Sequence, residues 1–506
     1  MHRFVRLGIA ASVLVALAVP AAGATPAVPI PGDPLDVTVS SYTGHPATAH
    51  PLPPVPAPQH PFMARNGASN IHDDAYQTDV YAGPGPLGRA PRVTSTMYVQ
   101  ECASITFDTR GRIVTVCPGV TGATLRLIDP TSLAVLASYD LPARPPGTFS
   151  FTNFSGGGYF YLDRHDRAVV STFTGHLLVV AEKGDAFALV KDYDLSAHTG
   201  GTGIQSALPD WSGRIWFVTV GGRVGVLDPT TGAIRSRQLA GEVIANSFAI
   251  DESGGVFVVS DHALYRFDYR DGPALTWRQP YDRGTRQKPG QVSQGSGTTP
   301  TLIGSASSPG GGSIAITDNA DPFMHVVVYR RGKAGPGRAL CDQGVFPAHQ
   351  GADENSLISV PGGLIAENNY GYTGPTPTGP STRAPDTVPG VARVDVDYAH
   401  GGCHVAWSNT TARIPTVVSK VSLRTGLLYG YTHPSAAELP WAVAPLPTAP
   451  DAWFLTAFDA RTGRQVWSQL VGSGLGFNNN YAPISLGPDG AAYVGTLGGL
   501  VRVADS

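Results

Sequence analysis

Short apolar segments alternate along the chain with turns that contain Gly, Asp or Asn. Residues 104–108 (Ser-Ile-Thr-Phe-Asp) are followed by Gly111 and the apolar stretch 113–116, and the same order recurs at 247–251 and 255–259. Short apolar runs bounded by turn residues predict β-strands rather than helices. The pattern therefore indicates an all-β protein built from many short strands.

This strand–turn–strand unit repeats along the chain with a mean spacing of about 50 residues, as in several repeat architectures. The eight starts are Ser104, Tyr159, Ser206, Ser247, Thr299, Asn355, Thr416 and Ala482. Four short antiparallel strands in a repeat of this length are typical of a propeller blade. We predict a single eight-bladed β-propeller, with seven blades as the alternative, because insertions at 373–390 and 432–450 blur the count.

The last repeat predicts how the ring closes. It has room for only three strands, whereas residues 93–99, ahead of the first repeat, alternate as a strand does. An N-terminal strand added to the last blade removes the exposed edges of an open array. We therefore assign residues 93–506 to one propeller domain that is closed by its N-terminal strand.

The N-terminus has the pattern of an export signal. An apolar stretch at 7–19 follows basic residues, and small residues end at Ala24. This order is typical of a signal peptide, here spanning 1–24 and cleaved near Ala24, so we predict a secreted protein. We expect no membrane span, because no other apolar stretch approaches the length that one needs.

Two further segments precede the propeller. Residues 25–61 are rich in Pro, which favours extended backbone, and we predict a linker there. Residues 62–92 are predicted to form a strap over the propeller that covers one mouth of its channel.

Composition narrows the classes of partner. Gly and Pro contribute 61 and 44 of the 506 residues, charged residues make up only 14%, and the formal net charge is −3. These values argue against a helical bundle and against a nucleic-acid partner. Arg far outnumbers Lys, which is typical of bacterial proteins from GC-rich genomes. We expect a monomer that binds a small molecule.

Four cysteines are present, and an even number in an exported chain favours disulfides over metal or catalytic thiols. Among three possible connectivities we predict Cys102–Cys117 and Cys341–Cys403, because each pair falls in neighbouring strands of the repeat scheme.

One repeat resembles a known family. Residues 457–467 (Ala-Phe-Asp-Ala-Arg-Thr-Gly-Arg-Gln-Val-Trp) resemble the repeat of quinoprotein-like (PQQ-type) β-propellers, and 227–232 and 421–426 are weaker versions. In that repeat, an alanine and an aspartate lead through Thr-Gly to a Trp that docks between blades. The resemblance implies a propeller fold and makes a PQQ-dependent oxidoreductase an alternative function. Active members of that family usually carry a disulfide between adjacent cysteines, and the absence of such a pair here weighs against bound PQQ.

Polar residues precede the first strand of several repeats, at positions that ring symmetry would bring together around the central channel. They are Glu101, Gln205, Asn246, Thr298, Glu354, Asn355 and Asn480. Oxygen-bearing side chains that converge in this way suit Ca²⁺ or a polar small molecule. The alternative is that they hydrogen-bond exposed backbone ends and line a water-filled channel.

A second polar set follows the second strands of two consecutive repeats. Asp318, Asn319 and Asp321 lie in one repeat, and Asn368 and Asn369 occupy the matching place in the next. We interpret Asp318, Asn319 and Asp321, with Glu101, as candidate metal ligands. Asn368 and Asn369 are candidate ligand-binding residues.

Two histidines lie beside acidic residues, as an acid–base pair requires. His72 precedes Asp73, and His349 lies just upstream of Glu354. These four are the candidate catalytic residues, with solvated loops as the alternative interpretation. The sequence leaves open whether the protein is an enzyme, such as a metal-dependent hydrolase or lyase, or a non-catalytic binding or scaffold propeller.

Overall fold

The computed structural model describes residues 25–32, 41–307, 312–335, 337, 339–375, 387–435 and 451–506. The predicted signal peptide lies outside these residues. Within them the chain forms eight sheets, each built around four antiparallel strands. The eight-bladed β-propeller is therefore confirmed, and the seven-bladed alternative is excluded.

Three strands precede the first blade that is continuous in sequence. They are β1 (Tyr42–Gly44), β2 (Val80–Tyr81) and β3 (Arg92–Met97). From the inside of the ring outward, blade 1 contains β4 (Ser104–Phe107), β5 (Ile113–Pro118), β6 (Ala123–Ile128) and β7 (Val135–Asp140), and blade 2 contains β8 (Tyr161–Leu162), β9 (Ala168–Ser171), β10 (His176–Glu182) and β11 (Phe187–Asp194). Blade 3 contains β12 (Ile204–Pro209), β13 (Ile215–Thr219), β14 (Arg223–Leu227) and β15 (Ile234–Gln238). Blade 4 contains β16 (Ala249–Ile250), β17 (Val256–Val259), β18 (Ala263–Tyr269) and β19 (Pro273–Pro280).

Blades 5 to 8 continue the same order. Blade 5 contains β20 (Thr301–Ile303), β21 (Ser313–Thr317), β22 (Met324–Arg330) and β23 (Cys341–Val345), and blade 6 contains β24 (Ile358–Val360), β25 (Gly363–Glu367), β26 (Val391–Val396) and β27 (Cys403–Asn409). Blade 7 contains β28 (Lys420–Ser422), β29 (Leu427–Thr432), β30 (Ala452–Asp459) and β31 (Gln465–Ser473). Blade 8 contains β32 (Ile484–Leu486), β33 (Ala492–Thr496) and β34 (Gly499–Ala504). Short 3₁₀ helices lie at Ser196–His198 and Leu475–Phe477.

The ring closes between the two ends of the propeller. Strand β3 pairs antiparallel with β34, from Arg92 opposite Ala504 to Met97 opposite Gly499. It supplies the fourth strand of blade 8, as the sequence predicts. Because every blade then has its full set of strands, no open edge separates blade 8 from blade 1.

The core lies between the blades and follows the burial of their strands. Inner strands such as β4 and β13 are buried at every position, whereas β27 alternates between half-buried and exposed residues. A continuous run of apolar residues is typical of a strand that is covered on both faces, and alternation of buried and exposed residues is typical of a strand with one solvent-exposed face. The blade surfaces thus pack on each other, and outermost strands such as β27 meet solvent.

The turn at residues 459–463 fixes one blade against its neighbour. The Asp459 carboxylate accepts a hydrogen bond from the Arg461 amide (2.8 Å), and Gly463 has a positive φ of 68°. The ring of Trp407, from the outermost strand of blade 6, packs so closely on Gly463 that a Cβ there would lie 2.3 Å from a ring atom. Its indole Nε1 donates to the Ala460 carbonyl (3.3 Å). The motif therefore docks blade 6 on blade 7.

Both predicted disulfides are confirmed. Cys102–Cys117 lies within blade 1, and Cys341–Cys403 joins β23 to β27, the outermost strands of blades 5 and 6. No helix among the described residues has the length and apolar character to cross a membrane.

Residues 62–81, which we call the central plug, run along the inner edges of the innermost strands. The carbonyls of the plug residues Ala75, Tyr76, Thr78 and Asp79 accept hydrogen bonds of 2.9–3.2 Å from Ile250, Leu302, Ser359 and Val421, which belong to the innermost strands of blades 4 to 7. Strand β2, at the end of the plug, pairs in parallel with β28 of blade 7. The inner edge of an innermost strand presents backbone N–H groups that have no partner within the sheet, and the carbonyls of the plug accept hydrogen bonds from them.

Candidate functional site

The candidate site is a cavity at the end of the channel where the innermost strands begin. Five of its lining residues lie two positions before an inner strand, each in a different blade: Tyr159, Thr299, Ser356, Val418 and Ala482. The plug residues Ile71 and His72 also line it. This inner cavity has a volume of about 30 Å³, which is room for about two water molecules.

A second space continues outward from the inner cavity. This outer chamber has a volume of about 200 Å³ and shares Glu101, Ala103, Phe154, Gly158 and Asn480 with the inner cavity. Its rim carries exposed apolar side chains: Val99, Val120, Phe149 and Phe151. A ligand can therefore place a polar end inside and an apolar part outside.

Five residues predicted from sequence meet at the inner cavity: His72, Glu101, Asn246, Glu354 and Asn480. The Asn480 amide nitrogen donates to Glu101 Oε2 (3.3 Å) and to the Phe151 carbonyl (3.2 Å). Among the described residues, Glu354 Oε1 and Asn480 Oδ1 are buried without a hydrogen-bond partner. Two acceptor atoms on residues that line the cavity are thus left without a donor from the described part of the protein.

Burial determines the protonation of the two glutamates. Removal from water raises the pKa of Glu101 to about 8, although the hydrogen bond from Asn480 opposes the shift. Removal from water also raises the pKa of Glu354 to about 8, against one backbone hydrogen bond from Val292. Among the described residues, neither Lys nor Arg lines the inner cavity. Both carboxyl groups are therefore protonated near pH 7 and would ionise beside a cation.

Beneath the inner cavity lies a buried cluster of charged plug residues. The Lys420 ammonium forms an ion pair with Asp79, donates to the Ile71 carbonyl (2.6 Å) and lies 3.4 Å from Asp73 Oδ2. Burial raises the pKa of Asp73 to about 8, and the charge of Lys420 opposes that shift. Lys420 therefore pairs with Asp79, while Asp73 keeps its proton near pH 7.

His72 connects this cluster to the inner cavity. Its Nδ1 lies 3.0 and 3.2 Å from the two carboxylate oxygens of Asp79. Its Nε2 lies 3.3 Å from the Ser356 hydroxyl. In the tautomer that carries its proton on Nδ1, His72 donates to Asp79, and its Nε2 can accept from the Ser356 hydroxyl.

The remaining candidate ligand-binding residues support loops instead of lining the inner cavity. Three of them donate to backbone carbonyls: Gln205 to Ala245, Asn355 to Val417 (2.7 Å) and Asn368 to Gln350 (2.9 Å). The Thr298 hydroxyl lies 2.9 Å from the Ser296 hydroxyl. The Asn369 side chain accepts a hydrogen bond from the Glu354 backbone amide (2.8 Å). Asn369 thereby holds the backbone of Glu354 at the cavity.

The residues predicted as metal ligands are placed apart from Glu101. Asp318 Oδ2 lies 2.9 Å from His325 Nδ1, and a carboxylate oxygen of Asp342 lies 3.9 Å from the same nitrogen. Asp318, His325 and Asp342 are the one group of three such ligands within 4.8 Å of one another among the described residues. Asn319 donates instead to the carbonyls of Arg283 (2.8 Å) and Arg286 (2.9 Å).

The last candidate pair lies at the surface. His349 Nδ1 is 3.6 Å from Asp321 Oδ1, and the His349 side chain is 69% exposed. His349 does not line the inner cavity, although Glu354, five residues later, does.

Sequence reasoning missed Asp79, Ser356 and Lys420. Asp79 ends the acidic segment that contains His72, and Ser356 begins a repeat, so both were close to recognised motifs. Lys420 is a charged residue at the start of an innermost strand that is buried throughout, and a buried charge usually has a partner.

Comparisons with known proteins assign no family. No protein-family model matches the chain. An uncharacterised protein of Archaeoglobus fulgidus is 27% identical over 343 residues, which cover 62% of this chain and 63% of that relative. The chain thus spans slightly less than two thirds of the relative's length.

Solved structures that are similar to this chain include BamB from Moraxella catarrhalis, with 13% identity, coverage of 86% of this chain and 98% of that chain, and a TM-score of 0.46. Chaetomium thermophilum Sqt1 has 14% identity, coverage of 78% and 92%, and a TM-score of 0.46. A streptogramin B lyase has 10% identity, coverage of 82% and 97%, and a TM-score of 0.39.

Proposed function

We propose that the protein is a secreted propeller that binds a small amphiphilic amine at the end of its central channel. The ammonium group enters the inner cavity, and the apolar part of the ligand occupies the outer chamber. Secretion is supported by the two disulfides, which persist in oxidising compartments, and by the signal-like pattern of residues 1–24.

The observation that carries this proposal is the excess of acceptors in the inner cavity. Glu354 Oε1 and Asn480 Oδ1 are buried without partners among the described residues, and leaving such atoms unpaired costs about 1–3 kcal/mol each. An ammonium group has three donors and no acceptor. Its positive charge also lowers the pKa of a nearby buried carboxyl group, so that this group loses its proton. The hydrogen bond between the ammonium and the carboxylate is then charge-assisted and stronger than a neutral one.

Aromatic rings favour the same ligand class. Phe154, Tyr159 and Tyr481 line the inner cavity. Ring faces attract cations, most strongly where water is excluded. Contact between the apolar rim of the outer chamber and the rest of the ligand then removes apolar surface from water, which adds to the free energy of binding.

Calcium fits the inner cavity less well than an amine does. Ca²⁺ takes six to eight oxygen ligands at short range. Among the described residues, the acids of the cavity do not form a group of three with ligand atoms within 4.8 Å of one another. Their raised pKa values also mean that the ion would have to displace protons first.

The residues present do not fit PQQ. This quinone is a three-ring molecule with several carboxylates, whereas the inner cavity has a volume of about 30 Å³ and its described lining contains acids but neither Lys nor Arg. We propose that the similarity to quinoprotein-like repeats concerns blade docking, as in the packing of Trp407 on Gly463.

Binding of phenethylamine tests the proposal, with phenethyl alcohol as the uncharged probe of matched shape. We expect the amine to bind at least tenfold more tightly than the alcohol by isothermal titration calorimetry at pH 7.5. Glu354→Gln removes the ionisable acceptor and is expected to weaken amine binding at least tenfold, because a charge-assisted hydrogen bond is lost.

The control variant is Asp185→Asn, whose carboxylate is 70% exposed on blade 2. It should bind the amine as the wild type does. Equal affinity for amine and alcohol, or unchanged amine binding by Glu354→Gln, would overturn the proposal.

A further inference from the structure

We propose that Ser356, His72 and Asp79 form a catalytic triad that hydrolyses a small carboxylic ester held between the inner cavity and the outer chamber. Ser356 is the nucleophile, His72 the general base, and Asp79 the residue that orients His72. The inference rests on the proposed function only in that the substrate enters through the same two spaces.

The three side chains have the connectivity that nucleophilic catalysis needs. The Ser356 hydroxyl lies 3.3 Å from His72 Nε2, and Asp79 Oδ1 lies 3.0 Å from His72 Nδ1. A base within hydrogen-bond reach of the nucleophile, itself oriented by a third group, defines a triad on any fold.

Access distinguishes Ser356 and His72 from an ordinary buried hydrogen bond. Both residues line the inner cavity, whereas Asp79 lies beneath it and is fully buried. The reacting groups therefore face the substrate space, and the orienting carboxylate is shielded from water. A shielded carboxylate holds the imidazole more firmly than a hydrated one does.

The plug is held in an unusual backbone conformation where it presents these groups. Asp73, Gln77 and Asp79 all have positive φ values, of 77°, 59° and 58°. Residues other than glycine adopt this region at a cost, and such residues cluster at functional sites. Lys420 ties this segment to blade 7 through Asp79 and the Ile71 carbonyl.

Ser356 has a histidine partner that the residues at the equivalent position of other blades lack. Ser247 also lies two positions before an inner strand, but its hydroxyl bonds to Ser206 Oγ (2.8 Å). Thr299, Val418 and Ala482 occupy the same position in other blades. Within the described residues, only Ser356 among these positions bonds to an imidazole.

The reaction consumes ester and water and yields acid and alcohol. Ser356 Oγ attacks the carbonyl carbon as His72 Nε2 takes the hydroxyl proton, and the carbonyl π pair moves to oxygen. The C–O bond to the alcohol then breaks, and the imidazolium gives its proton to the leaving oxygen. Water repeats both steps on the acyl-serine, which releases the acid and restores Ser356.

The cavity also holds donors for the oxyanion. Glu354 keeps its proton near pH 7, because burial raises its pKa to about 8, and the side-chain amide of Asn246 lines the same cavity. Neutral donors aimed at a developing negative charge stabilise it in a site that excludes water.

Covalent labelling with methanesulfonyl fluoride tests the triad, because this reagent is small and sulfonylates an activated serine. We expect peptide mass spectrometry of the full chain to find the label on Ser356, and p-nitrophenyl acetate to be hydrolysed. Ser356→Ala should abolish both. His72→Gln should slow both more than 100-fold, since removal of the base from a triad costs at least that much.

Ser247→Ala is the matched control, because Ser247 occupies the same blade position beside a serine in place of a histidine. It should be labelled on Ser356 at the wild-type rate. A folded wild-type chain without label on Ser356, or equal labelling in His72→Gln, would overturn the triad. Retained phenethylamine binding in that case would leave the proposed function standing, whereas labelling without amine binding would overturn the proposed function alone.

Discussion

Replacing Lys420 with methionine is expected to lower the free energy of unfolding by about 3–5 kcal/mol, because it leaves a buried charge without its partner. Lys420 is fully buried, and its ammonium pairs with Asp79 and lies 3.4 Å from Asp73. Methionine fills much of the volume but cannot neutralise Asp79 or bind the Ile71 carbonyl. Urea denaturation at pH 7, followed by intrinsic fluorescence, measures the loss.

Lys333→Met is the control for this prediction. The Lys333 side chain is 66% exposed, and its ammonium lies 3.8 Å from Asp268. An exposed pair contributes about 0–1 kcal/mol, so the control should change stability little. If Lys420→Met matched the control, the ion cluster would not be holding the central plug to blade 7.

Replacing Glu354 with glutamine is expected to stabilise the folded protein by about 4 kcal/mol at pH 8 and to have little effect at pH 4.5. Burial raises the pKa of Glu354 from 4.5 to about 8, so the folded state keeps a proton that the unfolded state releases. The stability contributed by this group is therefore complete below pH 4.5 and is lost as the pH rises toward 8. Glutamine resembles the protonated acid at every pH and removes that loss.

Urea denaturation of wild type and Glu354→Gln at pH 4.5 and pH 8 measures this difference. The exposed variant Asp185→Asn should parallel the wild type at both pH values. Parallel behaviour of Glu354→Gln would contradict the protonated state assigned to the cavity. Together with weaker amine binding, a gain in stability identifies Glu354 as a residue retained for function at a cost in stability.

Features set by local pattern could be predicted from the sequence. Strand spacing gave the eight blades, and the short last repeat gave the closing strand, observed as β3 at Arg92–Met97. The disulfide pairing followed from the same scheme. These features depend on turn chemistry and period, which are visible within one repeat.

The inner cavity could be predicted in part. Glu101, Asn246, Glu354 and Asn480 precede inner strands, and ring symmetry alone brings such positions together. The plug contacts could not be predicted, because His72 meets Ser356 across 284 residues of chain. No period relates residues 62–81 to the blades, so only the folded ring shows which strand edges they satisfy.

The central claim is that protonated acids at the end of the channel receive a cation. Calorimetric titration of wild-type protein with phenethylammonium at pH 7, in two buffers with different ionisation enthalpies, counts the protons released on binding. We expect release of about one proton per ligand, because a carboxyl group whose pKa lies near 8 ionises beside the bound charge. Binding whose heat is the same in both buffers, with no proton released, would contradict it.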